Sequence, residues 1–134
     1  AFIGSPKLVI LDEPTAGLDP MQRIVFKNFV SGMASSTTII ISTHIVSDVE
    51  NIADNVIFLK KGEIVAAGTI KEVVSTLEGK CWLLDDENDT EYSGFVRING
   101  DEKRVISNIK PSSNAQSTDP TLEDCYINIF GAGM

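Results

Sequence analysis

Two short apolar runs, Leu8-Val9-Ile10-Leu11 and Thr37-Thr38-Ile39-Ile40-Ile41-Ser42, stand one helix-length amphipathic stretch apart, and this spacing constrains the fold more than any other feature. Runs of four to six apolar or β-branched residues without polar alternation read as strands buried on both faces, the state of strands in a parallel sheet. Between them Asp19-Pro20-Met21-Gln22 opens a helix: Asp19 caps it, Pro20 suits the first helical position and Gln22 completes a capping box. Ile24, Phe26, Phe29, Val30 and Met33 give that helix a broad apolar face, and Gly32 weakens its end. Strand, helix, strand is the unit of an α/β layer, and such a sheet must be covered on both faces. Two parallel strands are too few. The missing strands are expected from residues this chain does not carry, or from another copy of it. The chain opens on Ala1 rather than Met and enters a buried strand within ten residues, which predicts a piece of something longer.

After the second run, Ser42 or Thr43 is placed to cap a helix running through Ile45, Val49, Ile52 and Ala53. Asn55–Lys60 and Glu63–Ala67 read as a hairpin around Lys61-Gly62, followed by a short helix over Ile70–Leu77. Beyond Gly79 the texture changes. Lys80–Leu84, Phe95–Ile98 and Arg104–Ser107 are short strands separated by acidic or turn segments, with Asn99-Gly100 as a hairpin turn. Asn108–Asp119 reads as polar loop, and Pro120 starts a last helix reaching about Phe130 with Leu122, Cys125 and Ile129 facing in. The expected organisation is an α/β parallel-sheet portion over residues 1–79 and a small α+β extension over 80–134. The extension carries five basic and ten acidic residues. There is no internal repeat.

Composition narrows the alternatives. With 134 residues, 43% hydrophobic and 22% charged, the chain has the make-up of one globular domain and not of a disordered segment. Its net charge of −8 repels nucleic acid and anionic lipid on average, so no nucleic-acid partner is expected. No apolar run approaches the ~20 residues of a membrane-spanning helix, and no charged-then-apolar leader supports secretion. Cys81 and Cys125 lie far apart without paired Cys/His ligand spacing, as reduced thiols of a cytosolic protein do.

In an open α/β sheet ligands sit beyond the carboxyl ends of the strands, and the first strand here ends in Asp12-Glu13. Adjacent carboxylates at that place can hold a hydrated Mg²⁺ and polarise a water, with different tasks because successive side chains diverge. Taken alone, the pair reads more simply as a solvated strand end. Likewise the acid run Asp85–Asp89 reads as a solvated loop, and Trp82, Tyr92 and Phe95 as strand aromatics of a core.

The acidic pair is not alone. Asp12-Glu13-Pro14-Thr15-Ala16-Gly17-Leu18-Asp19-Pro20 closely resembles the Walker B and D-loop segment of ATP-binding cassette (ABC) ATPases. Ser42-Thr43-His44 resembles that family's switch-histidine loop. Asp48, Val49, Ala53-Asp54-Asn55-Val56 and Lys61-Gly62-Glu63-Ile64-Val65 to Gly68 continue the pattern in register over residues 1–79. The fold this implies is part of a P-loop NTPase. Asp12 would hold Mg²⁺ through its water shell, Glu13 would act as general base on the attacking water, and His44 would donate to the γ-phosphate of ATP. A place at a helix N-terminus would suit such an anion and favour a neutral imidazole. Ala16, Gly17, Leu18 and Asp19 would form the D-loop, meeting a second cassette in a dimer. Pro120-Thr121-Leu122-Glu123-Asp124-Cys125-Tyr126 resembles the ending of cassettes from efflux systems, with Cys125 and Tyr126 departing from it.

Other family motifs have no counterpart in these residues. There is no Gly-x-x-x-x-Gly-Lys-Ser/Thr loop to cradle the β- and γ-phosphates, no glutamine loop and no Ser-Gly-Gly-Gln signature, which would lie just before Ala1. Phosphoryl transfer depends on positioning and charge stabilisation. The resemblance therefore implies the downstream half of an ATPase site, inactive by itself. The whole protein would be the ATP-binding subunit of an ABC exporter, of multidrug or antimicrobial-peptide type. It would lie in the cytoplasm, peripheral on the inner face of the membrane through a transmembrane permease. The alternatives are an ABC-type ATPase without a transporter and a non-enzymatic cassette fragment that binds a partner. Exposed strand edges and apolar faces predict that the chain alone self-associates.

Overall fold

The computed structural model describes residues 4–84, 95–99 and 102–131. They form two units, residues 1–53 and 54–134. In the first, β1 (Leu8–Asp12) and β2 (Thr38–Ser42) pair in parallel, with Leu8 opposite Thr38 and Asp12 opposite Ser42. The helix between them, α1 (Pro20–Met33), starts as its sequence dictates. The Asp19 side chain accepts from the Gln22 N–H at 2.8 Å and the Gln22 side chain accepts from the Asp19 N–H at 3.2 Å. After β2 comes a single helical turn, α2 (Val46–Val49).

The expectation of strands buried on both faces is only half met. Val9 is buried, whereas Leu8, Ile10 and Ile40 are exposed, because the two strands make a two-stranded sheet and none of the described residues covers those side chains. Helix α1 shows the same deficit: Val30 is buried, while Met21, Ile24, Val25 and Phe29 are exposed. The second helix is also shorter than its apolar spacing predicts. Ile52 and Ala53 both donate to the Val49 carbonyl in a closing turn and do not extend the helix, and its N-cap residue, Ile45, has no side-chain cap bond.

The second unit begins with a hairpin, β3 (Asn55–Lys60) and β4 (Glu63–Thr69). The turn residues Lys61 and Gly62 both have positive φ, as a two-residue turn matched to strand twist requires. Helix α3 (Ile70–Ser75) is capped by Thr69 and Glu72. An antiparallel sheet then forms in the order β6-β7-β5-β8 from β5 (Cys81–Leu84), β6 (Phe95–Asn99), β7 (Glu102–Ile106) and β8 (Gln116–Ser117). The two-residue β8 lies within the predicted polar loop, paired to Trp82 and Leu83. Helix α4 (Leu122–Phe130) has Thr121 as its N-cap, so Pro120 precedes the cap and does not occupy the first helical turn. Phe58 of β3 meets Tyr126 and Phe130 of α4 edge-on, and Lys60 Nζ donates to the Ile129 carbonyl at 2.6 Å. Residues 54–79 thus pack with the elements after Gly79, although sequence texture changes at Gly79. The Asp85–Asp89 run, Tyr92, the Phe95 side chain and Gly100 of the expected turn lie outside the described residues.

Candidate functional site

The parallel register carries the site. Because Asp12 lies opposite Ser42, the residues that follow, Glu13 on one strand and Thr43-His44 on the other, emerge side by side. The Glu13 N–H donates to the Ser42 carbonyl at 2.7 Å, extending the ladder by one bond, and Glu13 then turns with φ 44. A left-handed conformation in a non-glycine residue persists only where its surroundings hold it. Here three donors do. The His44 N–H and ring Nδ1 both reach Glu13 Oε1, at 3.1 and 2.8 Å, and the Thr43 hydroxyl donates to Oε2 at 3.2 Å.

These bonds set the electrostatics. The His44 ring bond holds the Glu13 carboxyl below the ordinary glutamate value, Thr43 and the His44 N–H act in the same direction, and partial desolvation opposes them. A carboxylate only accepts, so Nδ1 of His44 carries the shared proton. The His44 side chain is 70% exposed and that of Glu13 35%. The pair therefore sits at the surface, open to a ligand.

Asp12 ends β1 exposed to solvent, and its carboxylate makes no hydrogen bond among the described residues. No group of three or more His, Cys, Asp or Glu able to hold a metal occurs among those residues either. A single free carboxylate fits Mg²⁺, which keeps several waters and takes one or two protein carboxylates beside substrate phosphates.

The loop from Thr15 to Asp19 is tightened by Ala16 and Leu18 N–H bonds to the carbonyls of Glu13 and Thr15. Gly17 has φ 76, and a Cβ there would touch nothing, so glycine is needed for backbone conformation alone. Ala16, Gly17 and Asp19 are exposed and Leu18 is half-buried. The structure thus gathers Glu13 and His44, with Asp12 adjacent, and leaves residues 16–19 as a surface loop ending in the Asp19 cap. His44 does not stand at the N-terminus of a substantial helix. It precedes a four-residue turn, and its N–H points to Glu13, so the expected dipole support is absent.

Two residues named in the sequence take contacts at the site that the sequence reading did not assign to them. One is Thr43, which accepts from the Ile45 N–H at 3.0 Å while donating to Glu13 and so is a link rather than a helix cap. The other is Asp48, buried between Arg23 at 3.8 Å and Lys27 at 3.3 Å. Arg23 Nε also reaches the Leu18 carbonyl, and Lys27 Nζ the Ser47 carbonyl, so α1 pins both the loop before it and the turn after His44. The spacing of Arg23 and Lys27, one helical turn apart, was the available signal.

No family model matches the chain. An uncharacterised ABC transporter ATP-binding protein of Synechocystis sp. is 38% identical across 95% of this chain and 41% of its own length. The Nod factor export ATP-binding protein I of Rhizobium leguminosarum is 29% identical across 100% of this chain and 49% of its own. An energy-coupling factor transporter ATP-binding protein of Enterococcus faecalis is 42% identical over 61% of this chain and 28% of its own. A solved structure described as an ATP-binding subunit of an ABC transporter aligns at 32% identity and TM-score 0.49 over 54% of this chain and 30% of that one. The chain spans less than half the length of each of these relatives.

Proposed function

The chain belongs to the ATP-binding proteins of ABC transporters, and from that premise we propose that it carries the hydrolytic half of an ATP site. The observation that carries this reading is the Glu13 carboxylate, placed by a parallel ladder and held by donors from the neighbouring strand end. Glu13 is the general base on the attacking water. Its lowered pKa keeps it ionised at neutral pH. Asp12 would hold Mg²⁺, whose charge offsets that of the phosphates.

His44 has two exclusive partners. A neutral imidazole has one N–H, and in this structure Glu13 takes it. Donation from a neutral ring to the γ-phosphate therefore removes the ring donor from Glu13 Oε1, which keeps the His44 N–H, and losing the ring donor makes Glu13 a stronger base. The ring is exposed enough to swing.

The chain lacks the phosphate-cradling loop, so the 134-residue piece alone is expected to turn over no ATP. The complete protein pairs as a cassette dimer through Ala16–Asp19 and works with a membrane-embedded permease at the inner membrane face. Among the described residues no helix is long and apolar enough to cross a membrane. Export is favoured by the Nod factor export relative, which aligns along the whole chain, and by the ending at Pro120–Tyr126.

The test is Glu13→Gln in the full-length protein. The amide keeps the shape but cannot act as a base, so ATP binding should persist while hydrolysis falls by about 10²–10⁴-fold. Near-normal turnover would place the base elsewhere.

A further inference from the structure

We propose that Thr43 is a positioning residue of the hydrolytic site: its hydroxyl holds the Glu13 carboxylate by Oε2 while Oε1 exchanges its partners. This rests on the reading of Glu13 as the base.

The hydroxyl has no freedom to do otherwise. Its oxygen accepts the Ile45 N–H at 3.0 Å, which fixes a lone pair and leaves the single O–H for Glu13 Oε2 at 3.2 Å. That geometry makes Thr43 a rigid link between the backbone beyond β2 and the side chain beyond β1. The two partners of the carboxylate differ in mobility. His44 presents a ring 70% exposed, able to leave, whereas Thr43 is half-buried on a short side chain with one rotatable bond before its hydroxyl. When His44 turns toward a phosphate, the ring bond at Oε1 is lost and Thr43 is the remaining side-chain donor that orients the base.

The need for such a holder follows from Glu13 itself. Its φ of 44 is disfavoured for a residue with a Cβ, and the Ser42 carbonyl pins only its N–H. A carboxylate on a strained backbone, freed from its only ring partner, would sample other rotamers and lose aim. Small misplacements of a catalytic group are costly in rate, because orientation supplies much of the acceleration.

Two substitutions separate hydroxyl from shape. Thr43→Val keeps the branched volume and removes the donor, while Thr43→Ser keeps the donor and removes a methyl group. In the full-length protein, Thr43→Val is expected to lower kcat by about 10- to 100-fold, the scale of one hydrogen bond to a charged group, with KM for ATP and nucleotide binding near their original values. Thr43→Ser is expected to retain most of the activity. Retained nucleotide binding by the valine variant shows that it folds. The reverse ranking, with valine active and serine impaired, would mean that Thr43 acts by packing and would overturn the proposal. Equal losses in both variants, or a change confined to KM, would overturn it too. Glu13→Gln, measured beside them, keeps the two ideas apart. If it abolishes hydrolysis while Thr43→Val leaves kcat unchanged, the positioning role fails and the base stands. If it leaves hydrolysis intact, the underlying reading fails as well.

Discussion

Two carboxylates, one in each unit, hold a cationic or potentially cationic partner at nearly the same distance. His44 Nδ1 lies 2.8 Å from Glu13, and an Arg104 guanidinium nitrogen lies 2.7 Å from Asp124. Distance does not distinguish them, but solvent does. Glu13 and His44 meet at the surface, whereas Asp124 is 1% exposed, bonded by Arg104 Nε to both oxygens and by the Thr121 N–H of its own capping box. An exposed pair is worth little to stability and exchanges partners readily. A buried one is hard to break, because removing either member strands a desolvated charge. The first unit therefore holds a pair that can open, whereas in the second a carboxylate pair is a clasp between β7 and α4.

The sharpest test of this contrast is Arg104→Met. It leaves Asp124 buried without its counter-charge and is expected to destabilise the protein by about 3–5 kcal/mol, measured by denaturant unfolding. A change of a few tenths would show that water reaches Asp124 and would erase the distinction.

Next comes association. Leu8, Ile10 and Ile40 leave one face of the β1–β2 pair bare, and Ile57, Leu59 and Ile64 are bare on the β3–β4 hairpin. Contiguous exposed apolar surface is a binding surface by default. The −8 charge opposes association but is screened over ~8 Å at physiological salt, too short a reach to guard a dry contact. Light scattering of the isolated chain at high concentration should give a mass above 14.5 kDa. A clean monomer would mean that these faces are covered.

The smallest expected effect is the pH dependence of the Glu13–His44 pair. Glu13 has a lower pKa in the folded chain than the ordinary 4.5, so its contribution is complete above that value and is lost as pH falls through the folded one. A carboxyl carbon-13 titration should place the Glu13 midpoint below 4.5. A midpoint at or above it would dissolve the pair.

Local chemistry made much of this legible. The Asp19–Gln22 cap and the Lys61-Gly62 turn are decided by residues at most three apart, and they form as read. The juxtaposition of Glu13 and His44 was legible for a different reason: two apolar runs of a parallel pair end in the same register. What escaped was set by distant partners. Strand β8 has no strand pattern and exists because β5 offers an edge. Arg104 and Asp124 are twenty residues apart, and nothing in their spacing announces a buried pair. The reading of β1 as buried on both faces assumed a cover that two strands do not supply.

Trp82 gives the division into two units a practical meaning. It is the only tryptophan in the chain. Its indole N–H donates to the Ser107 carbonyl at 3.0 Å, and its ring packs against the cluster of Leu84, Val105 and Ala115. Its fluorescence will follow the loosening of β5 from β7 within the second unit. His44, the sole histidine, provides a resolved ring resonance from that other unit. The unlabelled protein thus carries an optical reporter in one unit and a magnetic reporter in the other. Heating a single sample under both spectroscopies reveals whether the clasped unit outlasts the one that bears the open pair.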